Sequence, residues 1–292
     1  MPDRALTEVP LQFGEGGRSF GILTLPDTKL RDPLESRVFV FLSAGFLHRV
    51  GPHGLHVLIA RELAQKGLTS LRVDLAGNGD SLPRNELEYQ QSVTADFKEI
   101  LSVLESQLGD VSIVLAGLCS GADNAIRLAV NHSRVVGMVL LDPVCDKDSG
   151  FTARALGFKA RAFAGKCTAL FRYMPWLNRR IKSLITPSSD AEETMDNLSL
   201  RDIPPREQMR AAFESIRYRD GRVLSVFTEY ALRYFNQSGQ LGRVLDVDRY
   251  EQYCTEIFWP HAEHNYPFES HRRELIEAIT TWATGQTQES LA

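Results

Sequence analysis

Cysteine is scarce in this sequence of 292 residues, and the features that mark secreted proteins are missing as well. The four cysteines, at positions 119, 145, 167 and 254, form neither a CxxC pair nor a dense framework. Residues 1–4 lack the basic-then-apolar order of a signal peptide. Because free thiols are typical of a reducing compartment, we expect a cytoplasmic protein.

Long apolar runs and a strong charge of one sign are also absent. No run of about 18 apolar residues occurs, and we therefore expect no membrane span. The net charge of −4 gives no reason to expect affinity for nucleic acid. With 43% hydrophobic and 24% charged residues, the composition is that of a globular protein that can bury one large core and carry an insertion.

Apolar residues alternate between strand-like and helix-like spacing along most of the chain. The predicted strands are 9–13, 19–25, 37–42, 69–74, 111–116, 135–141, 223–228 and 256–259. The predicted helices are 56–66, 92–108, 206–218 and 268–284. This alternation implies right-handed βαβ units and a mainly parallel sheet. Residues 146–205 break the rhythm, since they contain no convincing strand.

The segment from Gly117 to Gly121 joins an apolar strand to a helix-like stretch and reads Gly-Leu-Cys-Ser-Gly. A strand, then Gly-x-nucleophile-x-Gly, then a helix is typical of the nucleophile elbow of α/β-hydrolases. The turn is so tight that small residues must flank the nucleophile. Cys119 holds the middle position, where most such enzymes have serine.

Further motifs occur in the order that this superfamily has. Residues 74–81 read D-x-x-G-x-G-x-S, and residues 261–265 place histidines just before the last predicted helix. The sequence therefore resembles the α/β-hydrolases over nearly its whole length. The resemblance implies an α/β fold with a mostly parallel eight-stranded sheet flanked by helices. Residues 1–145 and 206–292 would form its two-part core, and residues 146–205 a helical cap.

A narrower resemblance is visible in three short segments, 49–53, 57–61 and 117–119. Together they are similar to the exosortase-A-system-associated hydrolases, which look like cysteine-bearing α/β-hydrolases found with polysaccharide export systems. This resemblance does not supply a substrate.

Cys119 is the candidate nucleophile. A thiol at a helix N-terminus beside a histidine has its pKa lowered from about 8.5, so a thiolate can attack a carbonyl carbon. The alternative is a buried structural cysteine, which the register of the elbow disfavours. The backbone N–H groups of Phe46 and Ser120 are the expected oxyanion-hole donors.

His264 is the candidate base, with His261 as a less favoured alternative on the same loop. The identity of the catalytic acid stays open, because Ala231 occupies the position that matches the usual aspartate of the family. Asp142, after the strand 135–141, and Glu229 are the two carboxylates that could replace it. Some relatives carry their acid at the strand end that Asp142 occupies. A Cys–His dyad without an acid is a third possibility.

These residues predict an enzyme that forms an acyl-Cys119 intermediate from an ester or thioester. Hydrolysis would make it an esterase or thioesterase, and transfer an acyltransferase. The alternative is a non-catalytic binding protein, which the alanine at position 231 motivates. We expect no cofactor. The histidines at 48, 53 and 56 lack accompanying cysteines or carboxylates, so we expect no metal site there.

The predicted cap is strongly basic. From Phe151 to Ser183 there are eight basic residues and no acidic one. Arg154, Arg161 and Arg172 fall opposite an apolar helix face. An ordinary solvated face explains this pattern. A functional interpretation is a docking surface for an anionic acyl carrier, such as an acyl carrier protein or coenzyme A, with the apolar face over a partly hydrophobic substrate. Peripheral membrane contact is a further alternative.

Overall fold

The computed structural model describes residues 6–30, 36–156 and 201–285. Eight strands form one sheet in the spatial order β1-β2-β4-β3-β5-β6-β7-β8. The strands are β1 (Thr7–Phe13), β2 (Ser19–Leu25), β3 (Arg37–Leu42), β4 (Thr69–Asp74), β5 (Ser112–Leu118), β6 (Val135–Leu141), β7 (Arg222–Thr228) and β8 (Cys254–Trp259). Strand β2 pairs antiparallel with both β1 and β4, and the remaining pairs, β4-β3, β3-β5, β5-β6, β6-β7 and β7-β8, are parallel. The predicted mostly parallel eight-stranded sheet is confirmed.

Helices cover both faces of the sheet. Apart from the helical residues 151–156, the α-helices within the described residues are α1 (Leu55–Gln65), α2 (Tyr89–Leu108), α3 (Ser120–Asn131), α4 (Arg206–Tyr218), α5 (Gln240–Leu245), α6 (Tyr250–Tyr253) and α7 (Glu269–Thr284). The apolar residues of α1 and α7 belong to one core cluster, and those of α2, α3 and α4 belong to the other. Two hydrophobic layers therefore sandwich the sheet, as expected for parallel strands.

Strand β3 illustrates why the sequence folds in this way. Its residues alternate between the two layers: Val38, Val40 and Leu42 belong to the cluster of α2, α3 and α4, and Phe39 and Phe41 belong to the cluster of α1 and α7. Successive side chains of a strand point to opposite faces, so a continuous apolar run suits a strand that is covered on both sides.

Two short helices, α5 and α6, were not predicted. With six and four residues they are too short to display a helical apolar period. Helix α5 follows Gly239, whose φ of 78° ends the preceding turn in the left-handed region.

Most of the predicted cap, residues 157–200, lies outside the described residues. Of the proposed segment 146–205, residues 151–156 are helical, and residues 201–205 lead into α4. Within the described part of the chain, no helix has the length and apolarity that crossing a membrane requires.

Candidate active site

The elbow places Cys119 between β5 and α3 with a strained backbone, at φ 57° and ψ −121°. The two flanking glycines make this turn possible. A Cβ on Gly117 would lie 2.2 Å from the carbonyl carbon of Gly121, and a Cβ on Gly121 would lie 2.9 Å from the Leu42 carbonyl oxygen. The spacing Gly-x-Cys-x-Gly is therefore a steric requirement of the strand-to-helix turn.

Cys119 lies half-buried at the N-terminus of α3, where several groups favour its ionised form. Burial by itself would raise the pKa of its thiol. The hydrogen bond with His264, the positive charge of Arg201 and the backbone N–H of Ser120 hold that pKa below its ordinary value. The site therefore favours a thiolate, as expected for a reactive cysteine.

His264 connects Cys119 to a carboxylate. Its ring Nδ1 lies 2.7 Å from Oδ2 of Asp142, which leaves Nε2 for the hydrogen bond with Cys119. Burial would lower the pKa of His264, but the hydrogen bonds with Asp142 and Cys119 raise it to about 9. The ring of Tyr230 stacks on the imidazole, with the centroids 4.0 Å apart. The imidazole is thus held in place and favoured in its protonated form.

Asp142 follows β6 and is completely buried. Its Oδ1 accepts a hydrogen bond from the backbone N–H of Thr228 at 2.6 Å, and its Oδ2 accepts one from the Thr228 hydroxyl at 2.6 Å. Strands β6 and β7 are neighbours in the sheet, so the end of β7 supplies the donors for the carboxylate at the end of β6. These bonds satisfy the buried charge and orient it toward His264.

The other sequence candidates lie elsewhere. Glu229 begins a short turn after β7, and its side chain is exposed. Ala231 is buried in the core. His261 pairs at 3.0 Å with Glu274 of α7, on the surface. The structure therefore brings together Cys119, His264 and Asp142, and it leaves Glu229 and His261 outside this line of contacts.

The proposed oxyanion donors lie on two adjoining segments. The hydroxyl of Ser120 accepts a hydrogen bond from the Gly45 N–H at 2.8 Å, which ties the turn after β3 to the first residue of α3. Asn78 fixes the same turn from the other side, through a 2.9 Å bond to the Gly45 carbonyl. Among the described residues, no group accepts a hydrogen bond from the Phe46 N–H. That N–H is available for a ligand.

The D-x-x-G-x-G-x-S loop supports the site without joining it. Asp74 accepts hydrogen bonds from the Arg49 N–H at 2.6 Å and the Asp80 N–H at 3.1 Å. A Cβ on Gly79 would lie 2.3 Å from Oδ2 of Asp74. This compact loop carries Asn78 to the turn that holds Gly45.

Sequence reasoning missed three residues of the site: Thr228, Tyr230 and Arg201. Thr228 and Tyr230 flank Glu229 in the sequence, so a polar residue at the end of β7 was the available signal. Arg201 has its side chain only 3% exposed and binds Asp123 in the first turn of α3. A buried aspartate in an apolar helix signals a cationic partner, but the sequence does not say which one.

The structure also locates two other sequence candidates. Arg154 is paired, since its guanidinium binds Asp148 at 2.5 Å and Asn236 at 2.7 Å. Arg161 and Arg172 lie outside the described residues. His56 is buried against Phe41, and its burial together with the charge of Arg72 lowers its pKa to about 4.

The doubly covered sheet with a strained elbow residue above its carboxyl edge defines an α/β-hydrolase. A family model described as "Alpha/beta hydrolase family" matches residues 39–278, and the chain belongs to this family.

Solved structures agree with this fold. A thermostable carboxyl esterase from Bacillus coagulans has 15% identity and a TM-score of 0.53, over 96% of this chain and 98% of that chain. An esterase from Pyrococcus furiosus has 13% identity and a TM-score of 0.58, over 97% of this chain and 91% of that one. A serine hydrolase without a lid from Xanthomonas campestris has 13% identity and a TM-score of 0.51, over 95% of this chain and 94% of that chain. A search of curated proteins finds no match.

Proposed function

We propose that this protein is a cysteine-dependent acyl-transfer enzyme that acts on an ester or thioester. The observation that carries the proposal is the line of interacting side chains from the thiol of Cys119 through the imidazole of His264 to the carboxylate of Asp142. The line ends on a fully buried carboxylate, and it starts at a thiol whose pKa is lowered. This is the geometry of nucleophile, base and orienting acid.

In the first half-reaction, the thiolate sulfur of Cys119 attacks the carbonyl carbon and forms a C–S bond. The carbonyl π electrons move to oxygen, and the N–H groups of Phe46 and Ser120 stabilise the resulting oxyanion. When the carbonyl re-forms, the bond to the leaving group breaks, and His264 donates its Nε2 proton to the departing oxygen or sulfur. An alcohol or thiol leaves, and an acyl-Cys119 thioester remains.

In the second half-reaction, neutral His264 accepts a proton from water or from another nucleophile, which attacks the thioester carbonyl. Collapse of this intermediate expels the Cys119 thiolate and regenerates the imidazolium–thiolate pair. Water gives hydrolysis, and an amine, alcohol or thiol gives transfer. Because a thioester is a good acyl donor, transfer competes with hydrolysis more strongly than in a serine enzyme.

The entrance supports an acyl group with a hydrophobic portion. Phe46 is fully exposed next to its own oxyanion donor, and Leu47 and Phe268 are also exposed on loops that follow β3 and β8. Both loops follow the carboxyl ends of parallel strands, where this fold presents its nucleophile.

Three finer points are part of the proposal and rest on the sequence. They are the cap at 146–205, an anionic acyl carrier docked on its basic residues, and the kinship with exosortase-A-system-associated hydrolases. The carrier surface would rely on residues such as Arg161 and Arg172, because Arg154 already binds Asp148. The cytoplasmic location likewise stays a prediction.

Mass spectrometry of the intact protein after mixing with an acyl thioester tests the proposal. We expect one acyl group on Cys119 in the wild type and in the control Cys145→Ala, whose thiol is buried. Cys119→Ala should carry none. If neither acyl thioesters nor iodoacetamide at neutral pH modify Cys119, the protein is a binding protein rather than an enzyme.

A further inference from the structure

The guanidinium of Arg201 binds the backbone of both the nucleophile and the acid. Its Nη2 donates to the Cys119 carbonyl at 2.7 Å and to the Asp142 carbonyl at 3.3 Å. The same Nη2 lies 2.9 Å from Oδ1 of Asp123, and Nε binds the other carboxylate oxygen. The side chains of Arg201 and Asp123 are 3% and 2% exposed. One buried cation therefore spans the ends of β5 and β6.

The carbonyl of Cys119 belongs to the same planar peptide group as the N–H of Ser120. A donor on the carbonyl therefore fixes the direction of the N–H that would stabilise the oxyanion. The first turn of α3 also binds this carbonyl, through the N–H groups of Ala122 at 2.9 Å and Asp123 at 3.2 Å. Arg201 adds a charged donor to this neutral pair, which strengthens the hold on the peptide.

A buried ion pair contributes little net free energy to the stability of a fold. Removing two charges from water costs several kcal/mol per ion, and apolar residues of similar volume often stabilise equally well. The pair of Arg201 and Asp123 is oriented so that the Nη2 group that contacts Asp123 also reaches the carbonyls of Cys119 and Asp142. This orientation is explained by the catalytic residues that it touches.

The chain that carries Arg201 is held at a second point of α3. Asp202 pairs with Arg127 at 2.8 Å, one helical turn beyond Asp123. Helix α3 therefore supplies the acidic residue of one ion pair, Asp123, and the basic residue of the other, Arg127, and both lie on the same helix face. The Arg127 pair anchors the same segment without contacting Cys119 or Asp142, which makes it a matched control.

We propose that Arg201 is a positioning residue of the acyl-transfer site, which orients the Cys119–Ser120 peptide and keeps a positive charge beside the Cys119 sulfur. This inference rests on the proposed function. The described ionisable groups that face the sulfur are His264, Arg201 and the Tyr230 hydroxyl. Removal of the Arg201 charge should therefore make the thiolate harder to form.

The test is the pH dependence of Cys119 alkylation by iodoacetamide, followed by peptide mapping, with folding checked by circular dichroism. Arg201→Met should raise the midpoint pH by about one unit, whereas the control Arg127→Met should leave it unchanged. In Arg201→Lys, which keeps the positive charge, the midpoint pH should return most of the way to the wild-type value. Its rate of acylation by a thioester should stay about 10-fold low, because an ammonium cannot bind three acceptors as a fork.

If Arg201→Met does not fold, the double variant Asp123→Leu with Arg201→Met removes both buried charges, and a smaller upward shift is expected. A wild-type midpoint in a folded variant without the arginine would overturn the proposal. Full acylation by Arg201→Lys would overturn the positioning role. Alkylation uses no acyl substrate, so these results are separate from the proposed function, which fails if wild-type Cys119 forms no acyl adduct.

Discussion

His264 and Asp142 are 122 residues apart in the chain, yet the ring Nδ1 of one lies 2.7 Å from the carboxylate Oδ2 of the other. The contact forms because β6 and β8 flank β7, so the loops at their carboxyl ends meet above the same edge of the sheet. A hydrogen bond from the Nδ1–H to the carboxylate fixes the tautomer and leaves Nε2 for the chemistry.

Asp142→Asn should reduce kcat for a chromogenic acyl ester by about 10²-fold, because the imidazolium loses its charged partner. The control is Glu229→Gln, which alters the other carboxylate candidate and should leave turnover close to wild type. A larger loss in the Glu229 variant would reassign the acid. Intact turnover in both variants would show that a Cys–His dyad suffices.

Alkylation of Cys119 by iodoacetamide should reach its half-maximal rate at a lower pH than alkylation of a free cysteine does, because the folded site lowers the pKa of the thiol. Only the thiolate reacts, so the rate stays high as the pH falls until it passes the lowered pKa. His264→Gln removes a hydrogen bond and a positive charge and should move the midpoint upward.

Cys145 and Cys254 provide internal controls for this measurement, since burial raises the pKa of both thiols. Peptide mapping should find them modified only at higher pH. Equal rates at Cys119 and Cys254 near pH 7 would contradict an activated nucleophile.

Ser120→Ala should lower kcat by about 10-fold with little change in KM. The variant keeps the backbone N–H at residue 120, but it removes the acceptor that holds the Gly45 N–H. The turn that presents the Phe46 N–H then loses its register with the developing oxyanion. Ser106→Ala is the control, since that exposed hydroxyl donates to a carbonyl of its own helix, α2. A wild-type kcat for Ser120→Ala would argue against this oxyanion hole.

Thr228→Val should lower the free energy of unfolding by about 2 kcal/mol, because the hydroxyl donates to the buried carboxylate of Asp142. Chemical denaturation measures this difference. Thr280→Val is the matched control: that buried hydroxyl donates to neutral carbonyls of α7. It should cost less than about 1 kcal/mol. Similar losses in both variants would mean that the charge of Asp142 adds nothing.

Cys119→Ser should shift the products of the reaction toward hydrolysis. With an acyl ester and an added amine, the ratio of amide to free acid measures how the intermediate partitions. An oxygen ester donates its acyl group to amines less readily than a thioester, so this ratio should fall in the serine variant. A ratio that stays constant would indicate that the acceptor site, and not the sulfur, controls transfer.

The core of the fold could be predicted because its strands are apolar on one face or on both faces. Strands β2, β3, β4 and β6 and helix α4 begin and end where the apolar pattern indicated. The elbow could also be predicted from the sequence. A Cβ at position 117 would clash with Gly121, so few sequences can make the turn. The boundaries of the predicted cap stay a prediction, because residues 157–200 lie outside the described part of the chain.

The acid could not be settled from the sequence, because the choice depends on which loop ends meet in space. Glu229 is closer in the chain to the usual position of the acid, but its side chain is exposed. Asp142 is oriented toward His264 because Thr228, at the neighbouring end of β7, donates hydrogen bonds to its carboxylate from both the backbone N–H and the hydroxyl. Arg201 was hidden for the same reason, since its partner Asp123 is 78 residues away.

The positive φ of Cys119 has a consequence for how such proteins diversify. The shape of that peptide is imposed by the glycines on either side and by the strand beneath them, and the sulfur takes no part in it. A single codon change at this position could therefore exchange one nucleophilic atom for another while the architecture stays as it is. The nucleophile at position 119 can therefore change during evolution, whereas the glycines at positions 117 and 121 cannot be replaced without disrupting the turn.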